Sequence, residues 1–368
     1  MKVKFNRAAL SEALGLVTTV VPARTTKPIL QGLKIQAEKE KVCISATDFE
    51  MGITCLIPQA EVEKEGQAVI PAERLAAIVR ECVDEVLVMD VAEATCRIKG
   101  SDSNFTIYGH QPEQYPQVPG FDGEAQLEAD LVKLQEALKH CLFATAKENT
   151  RYALSGILWE PNGKKLTLVG TDGRRLAKYK LSLNAEADKK IENEKFIIPA
   201  KAMVLLDKVG ASEKDKIAIR FADSKAIFSC GKVVISSNLV EGTFPKYEDI
   251  IPTDYKNKVE LNTAATLSAV KRAALLTNED SKGVKLALGK KSLVFTSRAP
   301  EMGDAEIAME VDYKGEPMEI GFNPQFLVDV LRVINEDSFE LQLGQPDRPG
   351  LIKSGANYVY IVMPVSLS

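Results

Sequence analysis

The sequence of 368 residues is poor in the residues that build several common kinds of site. It contains only two histidines, His110 and His140, and its six cysteines include no Cys-x-x-Cys pair. Because zinc sites are usually built from closely spaced cysteines and histidines, no metal site is expected. In a chain without a secretory signal, the cysteines are expected to be reduced and buried rather than paired in disulfides.

Long hydrophobic runs are missing as well. No uncharged run reaches the roughly 18–20 residues that a transmembrane helix needs. The charged residues 1–7 are not followed by the apolar core of a secretory signal. With 45% hydrophobic and 27% charged residues, the composition is that of a soluble globular protein. These features predict a cytoplasmic protein that has no membrane partner.

The sequence also lacks an excess of positive charge and the common catalytic signatures. It has 47 basic and 51 acidic residues, a net charge of −4, so any binding of nucleic acid must use a local basic patch. The GxGxxG, GxxxxGK[ST], HExxH and GxSxG motifs are absent. Residues 170–175 resemble a phosphate loop, but no helix start follows them, which favours a hairpin turn. The sequence therefore predicts no catalytic residue and no cofactor.

What the sequence does contain is an internal threefold repeat. A glycine recurs in similar surroundings at Gly32, Gly156 and Gly283, with spacings of 124 and 127 residues. A proline that precedes or begins an apolar periodic segment recurs at Pro71, Pro199 and Pro324, with spacings of 128 and 125 residues. Two independent markers agree on one period, which predicts three similar domains. Proline-rich connectors place these domains at residues 1–124, 125–254 and 255–368.

Each repeat shows the same order of predicted elements. An amphipathic helix is followed by alternating strand segments, a second helix that begins at or beside the recurring proline, and further strands. The predicted helices are residues 7–20, 72–81, 131–147, 200–209, 264–276 and 324–335. The expected fold class is α+β, with two helices packed on antiparallel sheet in each of three similar subdomains.

The charge of the chain is distributed unevenly over these predicted elements. The six predicted helices carry a net charge of +5 and the rest of the chain −9. Helices that face a polyanion would give this distribution, and so would lysines on ordinary solvated helix faces. Twelve helices from two chains, about 8–10 Å apart, would form a circle with a hole of about 21–28 Å. A two-chain ring could therefore admit a nucleic-acid duplex.

Over its whole length the chain resembles the family of the bacterial DNA polymerase III beta subunit, the replicative sliding clamps. The matching segments are residues 26–30 (TKPIL), 47–51 (TDFEM), 151–156 (RYALSG), 170–177 (GTDGRRLA), 244–247 (FPKY) and 362–364 (VMP). The resemblance implies a closed homodimeric ring of six subdomains, with helices inside and sheets outside. It also implies a processivity factor, without catalysis or cofactor, for a DNA-directed DNA polymerase.

The resemblance implies several partners. They are double-stranded DNA bound without sequence preference, a second copy of the chain, the polymerase catalytic subunit, the clamp loader, and repair polymerases with mismatch-repair proteins. The implied DNA contacts are Arg24, Asn149, Lys201 and Arg272. The implied dimer seam pairs Phe105 and Ile107 with Leu275 and Leu276, although all four residues fit a domain core equally well.

The resemblance further implies a pocket for short hydrophobic peptides of partner proteins. Its residues would be Leu154, Thr171, Gly173, Arg174, Arg175, Leu176, Pro245, Ile250, Ile361, Val362, Met363 and Pro364. From the residues alone, a core role for Leu154, Leu176 and Val362 is the favoured interpretation. The chain departs from the family pattern at Arg174, often histidine, at Asp249, where a basic residue occurs, and in its last four residues.

Two alternatives stay open at this point. One is a DNA-modifying enzyme built on a repeated α+β scaffold, since no carboxylate among the acidic residues can be singled out or dismissed. The other is a scaffold whose helices bind an acidic protein. Retention on circular DNA, followed by loss when that DNA is linearised, would separate the ring from both.

Overall fold

The computed structural model describes residues 1–39, 41–147, 152–253, 255–277, 283–300 and 302–366. Its α-helices are α1 (Arg7–Val17), α2 (Ala72–Glu81), α3 (Leu131–Leu142), α4 (Ala200–Asp207), α5 (Thr263–Ala273) and α6 (Pro324–Leu331). The strands of the first repeat are β1 (Lys2–Asn6), β2 (Gly32–Glu38), β3 (Lys41–Thr47), β4 (Met51–Ile57), β5 (Ala60–Lys64), β6 (Gly66–Pro71), β7 (Val86–Ala92), β8 (Thr95–Lys99) and β9 (Asn104–Tyr108). Those of the second are β10 (Leu127–Asp130), β11 (Gly156–Asn162), β12 (Lys165–Thr171), β13 (Arg175–Ser182), β14 (Phe196–Pro199), β15 (Lys216–Ala222), β16 (Lys225–Cys230) and β17 (Val233–Asn238). Those of the third are β18 (Asn257–Asn262), β19 (Val284–Leu288), β20 (Ser292–Ala299), β21 (Gly303–Glu310), β22 (Met318–Phe322), β23 (Ser338–Leu343), β24 (Gly350–Ser354) and β25 (Tyr358–Val362).

The three repeats share one order of elements. Each begins with a strand and a helix, continues with four or five strands and a second helix, and ends with three strands. Neighbouring strands pair antiparallel in every sheet of the described chain. The predicted α+β class, with two helices and antiparallel sheet in each of three similar domains, is confirmed.

The strands assemble into two compact units that do not coincide with the repeats. The first unit is Met1–Val132, Leu183–Ile191 and Lys201–Leu239, and the second is Lys133–Ser182, Glu192–Ala200 and Val240–Ser368. The first unit contains the sheets β5-β1-β7-β8-β9 and β10-β15-β16-β17-β4-β3-β2-β6. The second contains β14-β11-β12-β13-β25-β24-β23-β18 and β21-β20-β19-β22. Each unit thus has one eight-stranded sheet built by two consecutive repeats, through β17 with β4 and through β13 with β25.

Asparagine side chains cap the N-termini of three helices. The Asn6 side chain accepts a hydrogen bond from the amide of Ala9, and Asn262 does the same for Ala265. Asn323 accepts from Gln325, and Pro324 occupies the first helical position. Such caps satisfy backbone amides that have no partner inside the helix. With these caps, α1 and α6 start at their predicted first residues and α5 starts one residue before its predicted segment.

Five of the six predicted helices end earlier than predicted, and this weakens the predicted charge segregation. After α1, the amides of Thr19 and Val20 donate to carbonyls three residues back, and a single 3₁₀ turn (Ala274–Leu276) follows α5. The apolar periodicity continues through these 3₁₀ turns, and for this reason the predicted helices extend beyond the observed helix ends. With the observed bounds the six helices carry +2 and the rest of the chain −6, because Lys147, Lys208 and Arg332 lie beyond the helix ends.

The cysteines agree with the sequence prediction. All six thiols are free, five are buried, and Cys43 is half-buried. Burial raises the pKa of Cys55 and Cys96 to about 12, so these thiols stay protonated at neutral pH. Among the described helices, none has the length and apolar character required to cross a membrane.

Candidate functional site

An apolar cluster covers part of one face of the eight-stranded sheet in the second unit. Its buried members are Leu154, Leu158, Val169, Leu176, Ile197, Phe244, Tyr247 and Ile361, and it is called the Tyr247 cluster below. Pairing of β13 with β25 places Leu176 opposite Ile361, and pairing of β11 with β12 places Leu158 opposite Val169. Because alternate residues of a strand share a face, these four side chains meet on one side of the sheet.

A tight turn joins β12 to β13 beside this cluster. The Thr171 hydroxyl donates to the carbonyl of Arg175 at 2.6 Å and accepts from the amide of Gly173 at 3.1 Å. One carboxylate oxygen of Asp172 accepts from the amides of Arg174 and Arg175 at 2.9 and 3.0 Å. Gly173 has φ +86°, and a Cβ at this position would meet no atom within 4 Å. The backbone at Gly173 is therefore open to close approach from outside.

Two glycine-to-alanine substitutions, one in this turn and one in α1, are expected to change the free energy of unfolding in opposite directions. Gly173→Ala is expected to lower the free energy of unfolding by about 1 kcal/mol, because an L side chain is strained at this φ. Gly15→Ala, inside α1 and also free of neighbours, is expected to raise it by about 0.5–1 kcal/mol through helix propensity. Urea unfolding followed by circular dichroism measures both changes. Equal effects of the two variants would contradict the assignment of strain to Gly173.

The same turn occurs in the first unit with a different residue at its apex. The Thr47 hydroxyl donates to the carbonyl of Met51 at 2.7 Å and accepts from the amide of Phe49 at 3.1 Å. Phe49 takes the place of Gly173, with φ +74°, and its side chain is 50% exposed. The Lys27 ammonium lies 4.5 Å from the centre of the Phe49 ring. The repeat has thus conserved the hydrogen bonds of the turn but not the residue at its apex.

The sheet face beside this first turn is polar. By strand register, Leu158, Val169, Leu176 and Ile361 correspond to Lys34, Ser45, Gly52 and Ser236 in the first unit. A cavity of about 780 Å³ lies there, and Lys34, Ser45, Thr54, Tyr115 and Val234 are among the residues that line it. Of these two turns among the described residues, the one in the second unit is therefore the one that adjoins an apolar surface.

The Arg175 side chain is held inside the chain by polar contacts. Its guanidinium is 7% exposed and donates to Asp172 at 3.0 Å, to Asp329 at 2.6 Å and to the carbonyl of Phe143 at 2.7 Å. It also lies 4.5 Å from the centre of the Phe326 ring. Since every one of these partners is inside the second unit, Arg175 fixes the turn to α6 instead of offering a charge at a surface. Its place among the predicted pocket residues stays a prediction, with little of the side chain accessible in the isolated chain.

The other predicted pocket residues divide into a buried and an exposed set. Leu154, Thr171, Leu176, Ile361 and Val362 are buried, whereas Gly173, Arg174, Pro245, Ile250 and Met363 are exposed and Pro364 is half-buried. The amide of Met363 donates to the carbonyl of Arg174 at 2.9 Å, so the end of the chain lies beside the turn. The site prediction omitted Phe244 and Tyr247, although the FPKY segment that contains them was recognised as a match.

Of the predicted DNA contacts, Lys201 contacts the turn of the first unit. Arg24 is exposed in the loop that also contains Lys27, which lies over the Phe49 ring. The Lys201 ammonium, at the start of α4, is 2.5 Å from a carboxylate oxygen of Asp48. The positive charge of Lys201 is thereby partly neutralised within the chain. Arg272 is exposed in the last turn of α5, and Asn149 lies outside the described residues.

The predicted seam residues differ in their exposure. Phe105 is exposed on β9, the outer strand of its sheet, and Leu275 is 72% exposed in the 3₁₀ turn after α5. Leu276 is half-buried. Ile107 is 3% exposed and belongs to the core of the first unit. Of the four predicted seam residues, Phe105 and Leu275 therefore offer the exposed apolar surface in the isolated chain.

The threefold repeat and the fold agree with comparisons to known proteins. Models of the DNA polymerase III beta subunit match the N-terminal domain at residues 1–119, the central domain at 128–246 and the C-terminal domain at 248–366. The chain belongs to the DNA polymerase III beta subunit family.

Individual members of the beta subunit family align along the entire chain. The beta sliding clamp of Pseudomonas aeruginosa is 30% identical over 370 residues, covering all of both chains. That of Chlamydia muridarum is 29% identical and covers 100% of this chain and 99% of the relative. The Bacillus subtilis sliding clamp structure superposes with a TM-score of 0.95 at 26% identity. The P. aeruginosa clamp bound to griselimycin superposes with 0.92 at 28% identity, and each structure covers 100% of both chains.

Proposed function

We propose that the chain is a DNA sliding clamp, a ring of two copies that encircles double-stranded DNA and holds the replicative polymerase on its template. Membership of the beta subunit family in all three domains is the observation that carries this proposal. The relatives are named sliding clamps, and the DNA-modifying enzyme finds no support among them. The clamp itself catalyses no reaction in this proposal.

The ring acts on DNA by enclosing it. Phosphate contacts carry no sequence information, so Arg24, Lys201, Arg272 and Asn149 would steady the duplex without fixing its register. Because such contacts are weak and exchangeable, the clamp slides, and processivity comes from the closed ring. An overall charge of −4 fits this mode of action better than tight binding over the whole surface.

Two open sheet edges support a head-to-tail homodimer. In the described chain, β9 ends the five-stranded sheet of the first unit and β21 ends the four-stranded sheet of the second. An uncovered outer strand presents unpaired backbone groups that invite pairing. Exposed apolar side chains accompany both edges: Phe105 and Tyr108 on β9, and Met302 directly before β21. A seam between β9 of one copy and β21 of the other would cover both edges.

The Tyr247 cluster, its turn and the exposed side chains beside them form the proposed pocket for partner peptides. Met363 and Ile250 offer apolar surface, and Gly173 leaves room for a peptide to approach the backbone. Buried leucine and isoleucine side chains beneath them supply a firm apolar floor. Such peptides are proposed to be segments of the polymerase catalytic subunit, the clamp loader, repair polymerases and mismatch-repair proteins.

A charge placed beside the turn tests the pocket separately from the ring. Met363→Asp is expected to weaken binding of an apolar peptide from the cognate polymerase at least tenfold, because burial of a methionine is worth about 1.5–3 kcal/mol. Fluorescence anisotropy of the labelled peptide measures this loss. Val132→Asp, at an apolar residue of α3 that has the same 39% exposure as Met363 and lies outside the proposed pocket and seam, serves as the matched control. Equal weakening by both variants, or by neither, would contradict the assignment of the pocket.

A further inference from the structure

One side of the Tyr247 cluster ends in charged residues. The Tyr247 hydroxyl donates to one carboxylate oxygen of Glu160, and the Lys195 ammonium lies 2.8 Å from the other. Lys195 also approaches Glu248, at 3.8 Å. The carboxylate of Glu160 is therefore occupied by Tyr247 and Lys195.

Lys178 lies at the same side of the cluster and forms no ion pair with any described residue. It follows Leu176 by two positions on β13, so both side chains are on the sheet face that carries the cluster. Its partner across the strands is Val359, which packs against the cluster. The Lys178 ammonium is 5.0 Å from the centre of the Tyr247 ring. The carboxylates of Glu160 and Glu248 interact with the Lys178 ammonium only through longer-range electrostatics.

The environment of Lys178 is unfavourable for a cation. The side chain is half-buried, and burial, together with the charge of Lys180, lowers the pKa of its ammonium. A partly desolvated charge is stabilised mainly by a partner of opposite sign. The fold itself does not require this cation, because the corresponding position in the first unit is Thr54.

We infer that Lys178 determines the specificity of the peptide pocket by pairing with a carboxylate of the bound peptide. The pocket then selects apolar peptides that carry an acidic group beside their apolar anchor residues. The carboxylate belongs to an acidic side chain or to the C-terminus of the peptide, and both present the same chemistry. This inference rests on the proposed function of the Tyr247 cluster as a peptide pocket.

The test compares labelled peptides that share one apolar anchor sequence from the cognate polymerase. The first peptide has a glutamate beside the anchors and an amidated C-terminus, so its added carboxylate is a side chain. The second has glutamine at that position and a free C-terminus, so its added carboxylate is the C-terminus. The third has glutamine and an amidated C-terminus and is the uncharged reference. Each is titrated by anisotropy with the full-length dimer, as wild type, Lys178→Gln and Lys180→Gln. Lys180 is the matched control, because it is exposed and lies two residues further along the same strand.

The wild type is expected to bind one of the two charged peptides about tenfold more tightly than the uncharged one. This is the gain in affinity that one hydrogen bond to a charged group typically gives. Lys178→Gln should reduce this ratio below twofold, and Lys180→Gln should preserve it. Raising the salt concentration should also reduce the ratio. An unchanged ratio in Lys178→Gln, or equal binding of all peptides by the wild type, would overturn the inference while leaving the pocket intact. Failure of every peptide to bind the wild type would overturn the pocket itself.

Discussion

Replacing Arg175 with alanine is expected to lower the free energy of unfolding of the second unit by about 3–5 kcal/mol. The guanidinium is almost fully buried and bonds to Asp172 and Asp329, and both carboxylates are themselves largely shielded from solvent. Removing the cation leaves these two negative charges without their partner in a poorly solvated place. It also frees the turn of residues 171–175 from α6, so peptide binding should weaken together with stability.

The single tryptophan makes this effect measurable in the second unit alone. Trp159 is fully buried in β11, and its fluorescence reports the unfolding of that unit in urea. Arg174→Ala is the matched control: it removes a neighbouring, exposed arginine and should change stability by no more than about 0.5 kcal/mol. A loss below about 1 kcal/mol in Arg175→Ala would contradict the structural role assigned to this residue.

Leu275→Lys is expected to convert the proposed dimer into monomers. In the isolated chain this leucine is 72% exposed, so lysine is well tolerated there. In the closed seam the lysine would be buried without a partner, at a cost of about 2 kcal/mol or more. A ring of two identical chains closed head to tail contains the seam twice. The dimer dissociation constant should therefore rise at least about a thousandfold.

Sedimentation velocity at low micromolar concentration tests this effect. Val204→Lys places the same charge on an exposed apolar residue of α4, outside the proposed seam, and should sediment like the wild type. If Leu275→Lys also sediments as a dimer, the seam does not include the turn after α5. Leu276 is less suitable for this test, because it is already half-buried within the chain.

The sequence was sufficient to predict the repeat, the class of fold and the starts of most helices. Pro71 and Pro199 lie directly before α2 and α4, and Pro324 begins α6, as their positions indicated. Most helix ends were wrong, although α2 ends at residue 81 as predicted. For α1 and α5 the reason is that apolar periodicity continues through the 3₁₀ turns that terminate these helices. Such turns keep the same residues on the buried side, so the pattern alone does not distinguish them from a further helical turn.

The burial of individual predicted site residues depends on contacts between distant parts of the chain. The main anionic partner of Arg175 is Asp329, 154 positions away, and no local pattern links them. Phe105 and Ile107 share one face of β9, yet only Ile107 is covered, because neighbouring elements reach only part of that strand. The division into two compact units likewise arises from the pairing of β17 with β4 and of β13 with β25. Strand partners of this kind are fixed by the folded chain and leave little trace in local sequence.

The repeat also explains why one of the two matching turns is the better candidate for peptide binding. Leu176 and Ile361 pair beside the turn in the second unit, whereas Gly52 and Ser236 pair beside its copy. The two sites have the same backbone hydrogen bonds and differ in what their sheet faces offer. The change from apolar to polar side chains is visible in the sequence only after the strand register has aligned the copies.

The most direct test of the account is the fate of the loaded protein when its DNA is cut. The labelled dimer is loaded by the cognate clamp loader onto nicked circular DNA, separated from free protein by gel filtration, and treated with a nuclease that cuts the circle once. We predict co-elution with the circle at moderate salt and quantitative release after cutting, because enclosure alone holds the protein. Persistent binding to the linear product, or no retention on the circle, would contradict a clamp that works by encircling DNA.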